Sequence, residues 1–151
     1  MTPITRLDTA EQAEAAFYTA FESADPDAMM DVWADDGNIM CIHPNGPRLV
    51  GQQEVREGWQ QIMKYSPSMR FQLTFLDAVM ADDVAVHYVN EKIYVGSQKE
   101  PDFTVFATNV YRRTGDGWRM VLHHASPTPE SLRSVQERIE KEAEDDEVTL
   151  H

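Results

Sequence analysis

The chain has 151 residues, with 13 Lys or Arg against 26 Asp or Glu, so its formal net charge is −13. That length fits one domain that buries a core without help from metal or disulfide. A surface this acidic repels phosphate backbones and anionic lipid, which excludes nucleic-acid binding and polybasic membrane docking as primary roles. Cys41 is the only cysteine, so no intramolecular disulfide forms, in keeping with a reducing compartment. No apolar run approaches the roughly 18 residues of a membrane span. Met1 to Arg6 carries no apolar signal core. The expectation is a soluble, cytoplasmic protein.

Ala13, Phe17, Ala20, Phe21 and Ala24 recur at helical spacing, with Asp8 or Thr9 as the cap. Asp25-Pro26-Asp27 restarts a helix: Asp25 accepts from the first free amides and Pro26 suits the first helical position. Met29, Val32 and Trp33 share one face of this short second helix, which Asp35-Asp36-Gly37 ends. Ile39 to His43 reads as a strand and Pro44-Asn45-Gly46-Pro47 as a turn. Gly51 precedes a third helix carrying Val55, Trp59, Ile62 and Met63, closed by Ser66-Pro67. From Met69 to Ser126 everything reads as strands. Phe71, Leu73 and Phe75 alternate with polar residues, and Asp82-Asp83 turns into Val84, Val86 and Tyr88. Gly96 to Pro101 is a loop. A third strand runs from Phe103 to Arg113, and Gly115-Asp116-Gly117 turns tightly into a fourth, Trp118 to Ser126. Pro127 and Pro129 break the sheet. From Glu130 onward a tail with eight acids and three bases reads as a charged, solvated, fraying helix.

Three helices before an antiparallel meander is an α+β pattern. Long strands twist and curl, so the helices would cover a concave face and leave a conical cavity. The expected division is a domain over residues 1–129 and an acidic helical tail over 130–151.

The order of these elements resembles the nuclear transport factor 2-like superfamily, in its SnoaL-like and ketosteroid-isomerase-like branches. The matching stretches are Phe17-Tyr18-Thr19-Ala20-Phe21, Asp25-Pro26-Asp27-Ala28-Met29, Trp33-Ala34-Asp35-Asp36, His43-Pro44-Asn45-Gly46 and Gly51. Thr108-Asn109-Val110-Tyr111-Arg112-Arg113, Gly115-Asp116-Gly117-Trp118 and His123-His124-Ala125-Ser126 complete them. The resemblance spans residues 8 to 127. It implies a conical α+β barrel and a homodimer packed through the convex sheet face. Members include isomerases, dehydratases, cyclases and non-catalytic binding modules, so the fold does not fix a function.

Within that resemblance His43 stands where the isomerase carries its proton-moving carboxylate, and an imidazole suits that task near neutral pH. Asn109, counted back from the Gly-Asp-Gly turn, stands at the protonated Asp of the isomerase oxyanion hole, and its amide also donates. Asn90 on the preceding strand would join it in gripping a carbonyl or hydroxyl. The isomerase's first-helix Tyr has Phe17 in its place, and Tyr18 should point about 100° away. The isomerase machinery is therefore incomplete. Adjacent strand residues point to opposite faces, so His123 and His124 cannot chelate one ion. Alternation with Trp118, Met120 and Leu122 turns His124 to the cavity, as a second acid/base, and His123 to the convex face. His87 has no partner at recognisable spacing. Cys41 would share a face with His43. Trp33, Trp59, Met63, Phe21, Tyr88, Tyr111 and Met120 are candidate ligand-lining residues, with plain core packing as the competing reading of each.

No phosphate-binding loop, dinucleotide fingerprint, serine elbow or zinc-ligand spacing occurs, so no cofactor and no metal is expected. Two readings stand. One is an apolar-ligand pocket performing cofactor-free proton transfer (isomerisation, dehydration or cyclisation) with His43, His124 and Asn109 as catalytic residues. The other is a non-catalytic ligand-binding or dimerisation module.

Overall fold

The computed structural model describes residues 6–65 and 68–149. Helix α1 (Ala10–Ser23) is capped by Thr9, whose hydroxyl accepts from the Gln12 amide at 3.1 Å. It ends at Ala24 in the left-handed region, and Asp25 then caps α2 (Pro26–Val32) by accepting from the Asp27 and Ala28 amides. That helix stops earlier than Asp35-Asp36-Gly37 suggests. Trp33 is already extended and bridges Met120, so a tertiary contact sets the end.

Strand β1 (Met40–Ile42) turns through Asn45, itself left-handed, into β2 (Arg48–Val50). Helix α3 (Gly51–Tyr65) follows, with Val55, Trp59 and Met63 buried. Ser66-Pro67, expected to close it, lies outside the described residues. Four long strands come next: β3 (Met69–Met80), β4 (Val84–Val95), β5 (Phe103–Thr114) and β6 (Gly117–Pro127). The six-stranded sheet runs β2-β1-β6-β5-β4-β3, antiparallel throughout except where β1 lies parallel to β6. Helix α4 (Pro129–Thr149) is tied back to β5, where the Ser131 hydroxyl bridges the Thr104 amide and carbonyl. No helix among the described residues is long and apolar enough to cross a membrane.

Two bulges curl the sheet. Register slips by one residue at Leu76 in β3 and at Val121 in β6. An extra residue bends its strand and adds twist, so a sheet with two bulges closes toward its helices. On the concave side Ala85, Val89 and Ile93 of β4 and Val105, Ala107 and Tyr111 of β5 are buried, while Tyr88 and Phe106 on the convex side are exposed. Helix α1 crosses the concave side beside α3. Phe17 and Phe21 pack against Trp59 and each other, and Phe71 against Phe21, with ring centroids 4.5–6.1 Å apart. Gly117 serves the close approach of the N-terminal segment: it sits at φ 104°, and the Leu7 backbone fills the place a Cβ would take.

Candidate functional site

The concave wall holds a cluster of buried polar side chains. Glu14 and Tyr18 stand one turn apart on α1, so both project toward the sheet. His87 and Glu91 share one face of β4, and Asn109 and Tyr111 share one face of β5, because strand side chains repeat with period two. Three donors meet on one oxygen of Glu14. His87 Nδ1 reaches Oε2 at 3.0 Å, the Tyr111 hydroxyl at 2.8 Å and the Asn109 amide at 3.4 Å. Tyr18 donates to Glu91 Oε2 at 2.5 Å and accepts from the Asn109 amide at 3.0 Å. The Asn109 carbonyl accepts from His123 Nδ1 at 2.6 Å. Every member of this network is buried.

Burial sets the charge states. Desolvation raises the Glu91 carboxyl to about 7, against a smaller lowering effect of the Tyr18 hydrogen bond and with a further rise from the nearby Glu14 charge. Both Tyr18 and Tyr111 are pushed well above the usual phenol range, first by burial and then by neighbouring carboxylates.

A cavity of about 540 Å³ opens between α1, β3 and β4. Its apolar wall is Ala15, Leu73, Phe75, Leu76 and Ala78; its polar wall is Glu11, Glu14, Tyr18, Asp77 and His87. Volume and lining fall within the ordinary range of small-molecule sites. With Nδ1 held by Glu14, the His87 ring turns Nε2 toward Glu11, 4.0 Å away at the rim. A carboxylate that fixes one ring nitrogen and leaves the other facing an open cavity is the arrangement general acid/base histidines use.

His43 lies elsewhere, against the α3 side of the barrel. Its ring meets Trp59 edge-on at 4.6 Å, and its Nε2 is 3.5 Å from Cys41 Sγ. Burial lowers the imidazole to about 4 and pushes the Cys41 thiol upward, so this pair sits as a neutral ring beside a thiol rather than a thiolate. The His123 ring is 6.1 Å from His43 and is likewise held neutral by burial and by the neighbouring histidines.

Several sequence-based placements are corrected. His124 is exposed and His123 is the buried one, because the bulge at Val121 resets the alternation: Met120 pairs with Tyr111, but His123 pairs with Asn109. Asn90 and Asn109 face opposite sides of the sheet. Asn90 shares the convex parity of Tyr88, while Asn109 faces inward. Tyr88, 38% exposed, is a convex residue and not a lining one. Trp33, Trp59, Met63, Phe21, Tyr111 and Met120 are buried in the core, and none lines the cavity. Tyr18 does reach the concave network, since the α1 axis lies so that Phe17 points toward Trp59 and Tyr18 toward Phe71 and Glu91. Asn109 and His43 are both inward but do not converge on the cavity.

Glu14, His87 and Glu91 were missed as a group. Their signal lay in parity: Glu14 interrupts the apolar face Ala10-Ala13-Phe17, and His87 and Glu91 fall on the same parity as Ala85, Val89 and Ile93. A titratable group on a buried stripe needs a partner, and here the partners are each other.

Comparison with known proteins places this geometry. The model of the SnoaL-like domain family matches residues 10–130. A protein of Thiobacillus denitrificans described as a calcium/calmodulin-dependent protein kinase type II association domain is 42% identical, covering 82% of this chain and 98% of its own, with a TM-score of 0.79. An NTF2-like protein of Streptomyces avermitilis described as a dehydratase is 33% identical, covering 79% and 93%, with a TM-score of 0.70. The F-box protein SKIP8 of Arabidopsis thaliana is 28% identical over 110 residues, 73% of this chain, and the chain spans about half (46%) of that relative's length. The curved sheet, the helices on its concave side and the family match together make this chain a member of the SnoaL-like domain family, with the NTF2-like fold.

Proposed function

We propose that this chain binds a small, mostly apolar molecule bearing a carbonyl or hydroxyl in the cavity between α1, β3 and β4, and moves a proton on it without a cofactor. The observation that carries this reading is the His87–Glu14 pair: Nδ1 bonded to a buried carboxylate, on a ring that lines the cavity with Nε2 4.0 Å from the cavity residue Glu11. In this reading His87 Nε2 takes a proton from the carbon beside a carbonyl and returns it at another position, giving isomerisation, dehydration or cyclisation according to the substrate. Glu14 orients the ring and stabilises the imidazolium that forms. Tyr18 stands on the cavity wall with its hydroxyl proton given to Glu91, and so fixes the shape of the site beside His87. The sequence pointed to His43 as general base, His124 as a second acid/base, and Asn109 with Asn90 polarising the substrate oxygen. In the present proposal Asn109 instead positions Glu14 and Tyr18.

Exchange of ligand protons in D2O, followed by NMR on a panel of small apolar ketones, tests this directly. His87→Gln should slow enzyme-dependent exchange by roughly 10²–10⁴-fold while the protein stays folded. Exchange that is unchanged in this variant removes His87 from the chemistry.

Two observations favour a second reading, a module for self-association. The relative at 42% identity is described as an association domain. The convex face and the β3 edge also leave Val79, Tyr88, Phe106 and Leu76 exposed, each by 38–56%. Such a patch on a monomer marks a contact surface. In this reading two copies pair through the convex sheet face. Light scattering that gives a single 17.2 kDa mass across micromolar concentrations would refute it.

A further inference from the structure

The cavity wall carries the carboxylates of Glu11, Glu14 and Asp77 and no Lys or Arg. Glu14 is 3% exposed, and its neighbour Glu91, outside the cavity lining, is 1% exposed. Among the described residues, no Lys or Arg forms an ion pair with either, and His87 is the only basic side chain bonded to Glu14. Buried carboxylates are costly unless paired and hydrogen-bonded. The three donors to Glu14 all use Oε2, so Oε1 carries none of these bonds, although Glu14 forms part of the cavity wall. Glu11 stands at the rim and Asp77 on the opposite wall, and no lining residue is Lys or Arg. The rest of the wall, Leu73, Phe75 and Ala78 among it, is apolar.

An acceptor-rich end beside an apolar wall is complementary to a protonated amine on an apolar body. An ammonium donates three hydrogen bonds, charge-assisted where they meet a carboxylate. A carboxylate ligand would meet like charge, and a neutral alcohol offers one donor and no charge. The net charge of −13 adds attraction for a cation at long range. We propose that the ligand of this cavity is a small aryl- or alkylamine in its protonated form, held by Glu14 and Glu11, with its apolar body against β3. This rests on the reading that the cavity binds small molecules, and it adds an ammonium to the carbonyl- or hydroxyl-bearing body of that reading.

The experiment is calorimetric titration of the full chain at pH 7 with three probes of one shape: 3-phenylpropylamine, 3-phenylpropanol and 3-phenylpropionate. The amine should bind on the order of tenfold more tightly than the alcohol, and the carboxylate most weakly. Glu14→Gln should cost the amine about tenfold. Since Glu14 holds three donors, Glu11→Gln at the exposed rim serves as the second variant, with a several-fold loss for the amine alone. Equal affinity for amine and alcohol, with both lost when Ala15→Trp fills the cavity, would overturn the amine assignment while the pocket reading stands. Binding of none of the three would overturn both. Amine binding that survives Ala15→Trp would place the site elsewhere and overturn the proposal.

Discussion

Replacing Glu91 with Gln offers a quantitative check on the buried network. Burial raises this carboxyl from 4.5 to about 7. Between those pH values the folded chain therefore holds more protons at this site than the unfolded chain. Stability contributed by the group is complete below about pH 4.5 and is lost as pH rises through 7. At about 1.4 kcal/mol per tenfold change in proton affinity, the full swing is about 3 kcal/mol. Gln keeps the size and the acceptor for Tyr18 but has no proton to lose. The stability of the native chain minus that of Glu91→Gln should therefore fall by about 3 kcal/mol between roughly pH 4.5 and pH 8.5. His43, lowered by burial to about 4, and His123, lowered in the same direction, act with the opposite sign and lose their contribution as pH falls below 6.5. They are present in both proteins and cancel in the difference. Urea unfolding followed by tryptophan fluorescence across this range measures it. A difference that is flat with pH would show that burial does not raise the Glu91 carboxyl.

Other outcomes follow from the same geometry. His123→Ala should destabilise by about 2–4 kcal/mol, because it opens a buried space and orphans the Asn109 carbonyl, whereas His124→Ala should stay within about 0.5 kcal/mol. Equal effects in urea unfolding would contradict the face assignment. Asp25→Ala should cost about 1 kcal/mol through loss of the α2 cap, and an unchanged midpoint would count against it. Gly117→Ala should cost about 1–3 kcal/mol, because a left-handed backbone acquires a Cβ where Leu7 already sits. A melting temperature equal to that of the native chain would show that the N-terminal segment does not pack there.

Much of the fold was legible because period and turn chemistry agree along the chain. The expected strand Phe103 to Arg113 differs from β5 by one residue, and Gly115-Asp116-Gly117 marks the β5–β6 turn. Strand β2 was missed because Arg48-Leu49-Val50 is too short to show a period. The inward face of β6 was misread because nothing between Trp118 and Ala125, neither Gly nor Pro, announces the bulge at Val121. On β4 the difficulty was different: Val84, Val86 and Tyr88 are as apolar as Ala85, Val89 and Ile93, so alternation alone did not choose between the faces. The catalytic expectations leaned on the isomerase pattern around His43 and Asn109. The Glu14–His87 pair spans 73 residues of sequence, and only the packing of α1 across β4 brings it together.

The most direct test of the central claim is a thermal-shift screen of small apolar ketones, phenols and amines on the native chain and on Ala15→Trp, whose new side chain would occupy the cavity. A ligand at about 100 times its Kd stabilises by roughly 2.7 kcal/mol, on the order of 5–10 °C for a chain of this size. Such a shift is expected in the native chain, with its loss in Ala15→Trp. A shift that persists undiminished in the filled variant would contradict that claim.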